Sequence, residues 1–152
     1  MSQIAELLPA GNILLDLDAG SKASLFDAVA ALFESKRGLA RRLVVDSLLA
    51  REKLGSTGLG QGIAIPHGRI RGLTEAQGAF ARLKSPIPFD APDGKPVALV
   101  FVLLVPEQAT EQHLQLLSEL AQMFSDTRFR EKLAAAADTA GLHAVFANWV
   151  AS

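Results

Sequence analysis

The residues best suited to chemistry are His67 and the glycine-rich run ahead of it. From Arg51 the chain reads Arg-Glu-Lys-Leu-Gly-Ser-Thr-Gly-Leu-Gly-Gln-Gly-Ile-Ala-Ile-Pro-His-Gly-Arg, with four glycines between Gly55 and Gly62. Glycine permits positive φ and lets another backbone or a ligand come close. Residues 63–65 predict a short buried strand, and Pro66, with no N–H to donate, is expected to stop its ladder. His67 then falls at a strand end beside Gly68, with little bulk to shield its ring. An imidazole next to a loop of free N–H groups suits a reaction with an anion. A turn histidine that binds a backbone carbonyl is the plainer alternative, and the glycine-rich context weighs against it.

Other residues support this reading only in combination. Arg51 continues the helical stripe of Val44 and Leu48, at the helix end nearest the glycine loop. Its stem can lie along the surface, or its planar fork can face an anion at His67. Ser56, Thr57 and Gly58 form either a plain turn or a set of hydroxyl and N–H donors for phosphate. His113 opens a helix and lies on an apolar stripe, so core packing and a pocket role are about equally supported. His143 has neither loop nor strand-end context and reads as structural or solvated. The histidines lack H-x-x-x-H and H-x-H spacing and cysteine is absent, so no metal site is expected. Neither a G-x-x-x-x-G-K-[S/T] loop nor a G-x-S-x-G elbow is present.

These residues need a scaffold. A chain of 152 residues is expected to form one domain over 1–152. Its net charge of −1 leaves no electrostatic footprint for nucleic acid. The longest apolar run, 97–105, is too short to span a bilayer, and no basic segment leads a long apolar one at the N-terminus. A cytoplasmic protein without membrane insertion is expected. One helical turn is expected over 4–8 and a strand over 12–17. Helices follow from Ser21 or Ser24 to Gly38, then over 39–52 and 110–125. Two more start at Asp126 or Thr127 and at Asp138 or Thr139, the last with Leu142, Val145, Phe146 and Trp149 inward. Residues 77–84 alternate and predict a strand with one wetter face, whereas 97–105 suits a central strand covered on both faces. Pro86, Pro88 and Pro92-Asp93-Gly94 predict an irregular connection. The mixture favours an α/β fold, a three-layer α/β/α sandwich with a central mixed sheet flanked by helices on both faces.

The sequence resembles the enzyme IIA domains of the phosphoenolpyruvate-dependent phosphotransferase system, of the fructose–mannitol type. That family's signature is an acidic or amide residue, six residues, then apolar-[Gly/Ala]-x-x-apolar-Ala-apolar-Pro-His-small. Glu52, Leu59, Gly60, Ile63, Ala64, Ile65, Pro66, His67 and Gly68 occupy those places. The His-Leu-x-x-Leu-x-x-Leu run from His113 also fits, and the resemblance covers nearly the whole chain. Gly-Ser-Thr-Gly-Leu-Gly with Ile-Ala-Ile-Pro-His-Gly is most similar to the nitrogen-regulatory branch. The lack of IIB and membrane IIC domains in the chain is expected to point the same way.

The resemblance implies a protein-histidine phosphotransferase with His67 as phosphoryl acceptor and Arg51 and His113 in support. Nε2 is the attacking atom implied. Ser56, Thr57 and Gly58 would donate to phosphoryl oxygens, and Leu59 and Ile70 would supply the apolar part of a docking surface. The donor would be the histidine phosphocarrier protein, and regulatory target proteins would read the phosphorylation state. No cofactor, nucleotide or metal is needed. The alternatives are a sugar-specific IIA component that passes phosphate to a IIB domain, a binding module that is never phosphorylated, and a histidine-based metal hydrolase.

Overall fold

The computed structural model describes residues 3–150. Its central strand is β6 (Val97–Pro106), whose valine, leucine and phenylalanine run leaves no polar face and must be covered on both sides. Val100, Val102 and Leu104 face one helical layer, and Leu99, Phe101, Leu103 and Val105 face the other. β5 (Gln77–Ile87) runs antiparallel along one edge of β6, and β1 (Ile13–Leu17) runs parallel to β5. Along the other edge lie β3 (Ile63–Ala64) and β4 (His67–Ile70), both parallel to β6, with β2 (Gly58–Gly60) antiparallel to β3. Helices α2 (Lys22–Arg37) and α3 (Arg41–Lys53) cover one face. Helices α1 (Gln3–Leu7), α4 (Glu111–Ser125), α5 (Thr127–Ala135) and α6 (Thr139–Ala147) cover the other. The result is the expected three-layer sandwich on a mixed sheet. Among the described residues no helix is long and apolar enough to cross a membrane.

The helix ends follow local chemistry. Ser21 and Ser24 accept reciprocally from each other's N–H at 3.1 Å, and Gly38 ends α2 at φ 70°. Asp126 and Asp138 cap α5 and α6. Trp149 lies beyond the end of α6 and packs on Phe129 while its Nε1–H donates to Asp126.

Three expectations need correction. Pro66 does not end the pairing with β6. Ala64 stands opposite Val100 and His67 opposite Leu103, so β3 and β4 keep one register. Pro66 lacks an N–H, but its carbonyl still accepts from Leu103 N at 3.0 Å. His67 therefore opens a strand. Second, β5 has no wetter face over most of its length, and residues 78–81 are all buried. Its arginine is not solvated either: Arg82 Nη1 donates to the Leu133, Ala134 and Ala136 carbonyls at the end of α5. Third, Pro86 lies inside β5, where pairing with β6 is irregular between Arg82 and Ile87, so no regular ladder bond is lost.

The approach of α3 to β4 sets the position of the site. A Cβ on Gly68 would overlap Ser47 Oγ and lie 3.2 Å from Ser47 Cβ. Ser47 Oγ also donates to Arg69 O at 2.9 Å. Only glycine lets the helix come this near, and Arg51 sits one turn further along it. Gly68→Ala is expected to lower unfolding free energy by about 1–3 kcal/mol through overpacking. In denaturant titrations the double variant Ser47→Ala/Gly68→Ala should cost less than the sum of the single changes. Strict additivity would show that the two residues do not press on each other.

Candidate functional site

His67 is half-buried on β4, which among the described residues pairs only with β6 and packs against α3. Both ring nitrogens are engaged. Nδ1 lies 3.0 Å from the Ile65 carbonyl. A carbonyl only accepts, so Nδ1 carries the proton and Nε2 keeps a lone pair. Arg51 Nε donates to that Nε2 at 3.2 Å, and Arg51 Nη1 donates to Gly55 O at 2.9 Å. The arginine fork is thus anchored at one end and faces the histidine with the other. Burial lowers the His67 pKa from its ordinary 6.5; the Ile65 bond raises it, the Arg51 charge lowers it and Glu52 raises it, with a net downward shift. The ring is therefore held uncharged to lower pH than a solvated histidine.

His113 is the third residue of α4. Its Nδ1 accepts from Thr110 N at 3.0 Å, so Nε2 carries the ring proton as a donor. His67, Arg51 and His113 line one cavity of about 450 Å³. Leu103, Val105 and Leu117 form apolar parts of its wall, and Leu54 and Leu114 stand at it 85% and 55% exposed. Low-polarity walls strengthen the guanidinium's effect on a nearby anion. A larger cavity of about 760 Å³, near Arg128 and Trp149, contains none of the histidines.

Other expected site residues are placed elsewhere. Ser56 Oγ donates to Phe89 O at 2.6 Å and accepts from Gly58 N at 3.0 Å. Thr57 N and Oγ1 both donate to the Glu52 carboxylate. These donors build the turn, and none of Ser56, Thr57 and Gly58 lines the cavity. Ile70 is fully buried under α2 and α3 and cannot dock a partner. It lies three residues after His67 on a strand, so the period of two turns it to the opposite face. Leu59 is 45% exposed on β2 but also lies off the cavity. The exposed apolar residues beside His67 are Leu54 and Leu114, which carry no sequence signal that separates them from core leucines. His143 Nε2 approaches Ala5 O at 3.4 Å, away from the site, as a structural histidine would.

The lowered pKa has a consequence for stability. An unfolded chain protonates His67 near pH 6.5, whereas the folded one resists until lower pH. The stability due to this group is therefore present above pH 6.5 and lost as pH falls towards the folded pKa. Denaturant titrations of the protein and of His67→Ala between pH 8 and 5 should show the protein losing stability relative to the variant on acidification. A constant difference would mean that the ring is not withdrawn from solvent as described.

Comparison with known proteins places this geometry in a family. Residues 6–149 match the family model described as phosphoenolpyruvate-dependent sugar phosphotransferase system, EIIA 2. A nitrogen regulatory protein of Pseudomonas aeruginosa is 41% identical over 152 residues, covering 95% of each chain. One from Bradyrhizobium diazoefficiens is 41% identical over 144 residues, 95% of this chain and 94% of that one. The crystal structure of nitrogen regulatory protein IIA-Ntr from Neisseria meningitidis superposes with a TM-score of 0.90 at 51% identity, covering 95% of this chain and 99% of the other. A histidine fixed at one nitrogen and faced by arginine at the other thus sits on a scaffold shared along nearly the whole chain, and the protein belongs to the EIIA 2 family of the phosphoenolpyruvate-dependent sugar phosphotransferase system.

Proposed function

We propose that His67 accepts a phosphoryl group on Nε2 from the phosphorylated histidine phosphocarrier protein, and that the chain is a cytoplasmic nitrogen-regulatory phosphocarrier whose phosphorylation state is read by target proteins. The observation that carries the first part is the Nδ1–H bond to Ile65, which leaves the lone pair on Nε2 beside Arg51. The regulatory part is supported by nitrogen regulatory relatives that match almost end to end.

The reaction is an in-line exchange of one P–N bond for another. Nε2 attacks phosphorus with its lone pair while the donor's P–N bond breaks and its electrons return to the donor imidazole. The His67 ring gains positive charge and keeps its Nδ1 proton, which the Ile65 carbonyl stabilises. Phosphoryl transfer asks for positioning and charge stabilisation more than covalent chemistry. Arg51 releases Nε2 as phosphorus arrives and donates to the equatorial oxygens instead. The Nε2–H of His113 is a further donor on the cavity wall, which Arg69 also lines. Leu54 and Leu114 give the donor protein an apolar surface against which to exclude water.

Incubation with labelled phospho-carrier tests the acceptor. His67→Ala is expected to remain folded and take no label, and label on His113 or His143 of the wild type with none on His67 would refute the assignment. Arg51→Lys is expected to slow transfer at least tenfold, less than the roughly 100- to 1000-fold cost of losing a transition-state donor outright, because a point charge cannot fully replace a planar fork. Rapid-quench rates equal to wild type would make Arg51 a bystander. A regulatory role also predicts little onward transfer to sugar-specific IIB domains, and efficient transfer there would favour a transport component.

A further inference from the structure

Glu52 is nearly buried, with a side chain 6% exposed, and lies outside the cavity. A buried carboxylate is tolerated when it is hydrogen-bonded and paired. Here Thr57 N reaches its two oxygens at 2.9 and 3.2 Å, and Thr57 Oγ1 reaches both at 3.0 Å. Lys22 Nζ lies 3.5 Å away on the other side, held in turn by Asp90 at 3.4 Å and over the Phe89 ring at 4.6 Å. The carboxylate therefore clasps the turn that follows α3 to the body of the fold.

Two branches run from this clasp to His67. The turn that Glu52 closes presents Gly55 O to Arg51 Nη1 at 2.9 Å, which directs Arg51 Nε to His67 Nε2. Thr57 O accepts from Ile65 N at 3.0 Å, and Ile65 O accepts from His67 Nδ1–H at 3.0 Å. Both nitrogens of the ring are thus set by groups one step removed from the Glu52–Thr57 pair. We infer that Glu52, acting through Thr57, is a positioning residue for phosphoryl transfer, which fixes the tautomer of His67 and the reach of Arg51 without touching the phosphoryl group. The inference rests on His67 as the acceptor. Its working part is hydrogen-bond acceptance by the side chain, so an amide oxygen should serve nearly as well as a carboxylate.

The test uses the full chain with Glu52→Gln, Glu52→Ala and Thr57→Val. Transfer from phospho-carrier gives kcat and KM, and ¹⁵N shifts of the His67 ring report which nitrogen carries the proton. Glu52→Gln should keep the Nδ1–H signature and a kcat within about threefold of wild type, whereas Glu52→Ala and Thr57→Val should lower kcat at least tenfold with KM little changed, as a misplaced reacting group does. Their ring shifts should move towards a mixture of tautomers. Wild-type kcat and ring shifts in Glu52→Ala, with only thermal stability reduced, would overturn the inference, as would Gln failing as badly as Ala. Thr57→Val is nearly isosteric and decides the matter if Glu52→Ala does not fold. Failure of the wild type to take label would count against the acceptor itself, while the ring shifts still judge Glu52.

Discussion

The hydrogen bond from His67 Nδ1–H to the Ile65 carbonyl fixes which ring nitrogen keeps a lone pair, and much of the surrounding structure serves to make it. A net hydrogen-bond contribution of about 1 kcal/mol biases the tautomer by a factor of about five, and burial removes the competing bonds to water. The Ile65 carbonyl is available because Ile65 lies in the gap between β3 and β4, where its N–H goes to Thr57 and its C=O to the imidazole. Pro66 shapes that gap. It holds the residue before it extended and has no N–H for the ladder, while its own carbonyl keeps the register by accepting from Leu103. A strand interrupted without a change of register is what lets a main-chain carbonyl turn towards a side chain.

The second constraint is the meeting of α3, β4 and α4 around one cavity. Gly68 lets α3 press on β4, so Arg51 reaches the ring, and α4 brings His113 to the same cavity from the other face of the sheet. Burial and the arginine charge lower the His67 pKa, against the opposing pull of the Ile65 hydrogen bond and Glu52. The site thus holds an imidazole lone pair at Nε2 in a cavity that the donor residues Arg51 and His113 also line, the arrangement that the proposed phosphoryl transfer requires. Its apolar walls make each of those donors count for more than it would in water.

Much of this was legible in the sequence where the signal is local. Pro-His-Gly after a glycine-rich run singled out the histidine that lies in the cavity, and the stripe of Val44, Leu48 and Arg51 placed the arginine at the helix end that reaches it. Ser21, Gly38, Asp126 and Asp138 announced helix ends through their own capping chemistry. The continuous apolar run of β6 announced a strand buried on both faces. What escaped depends on partners distant in sequence or on direction. Arg82 looks solvated until the end of α5 supplies carbonyls to it. Ser56, Thr57 and Gly58 look like free donors until Glu52 and Phe89 engage them, and a carboxylate five residues from its threonine matches no helix or turn period. Leu54 and Leu114 became rim residues only when the meeting of α3, β4 and α4 around one cavity was known.

The assignment of Nε2 as the attacking atom is tested most directly by ³¹P NMR of the phosphorylated protein carrying ¹⁵N in its histidine rings. With Nδ1 held by the Ile65 carbonyl, the phosphorus signal should show one-bond coupling to Nε2 of His67. Coupling to Nδ1 of His67, or to a nitrogen of His113 or His143, would contradict the account.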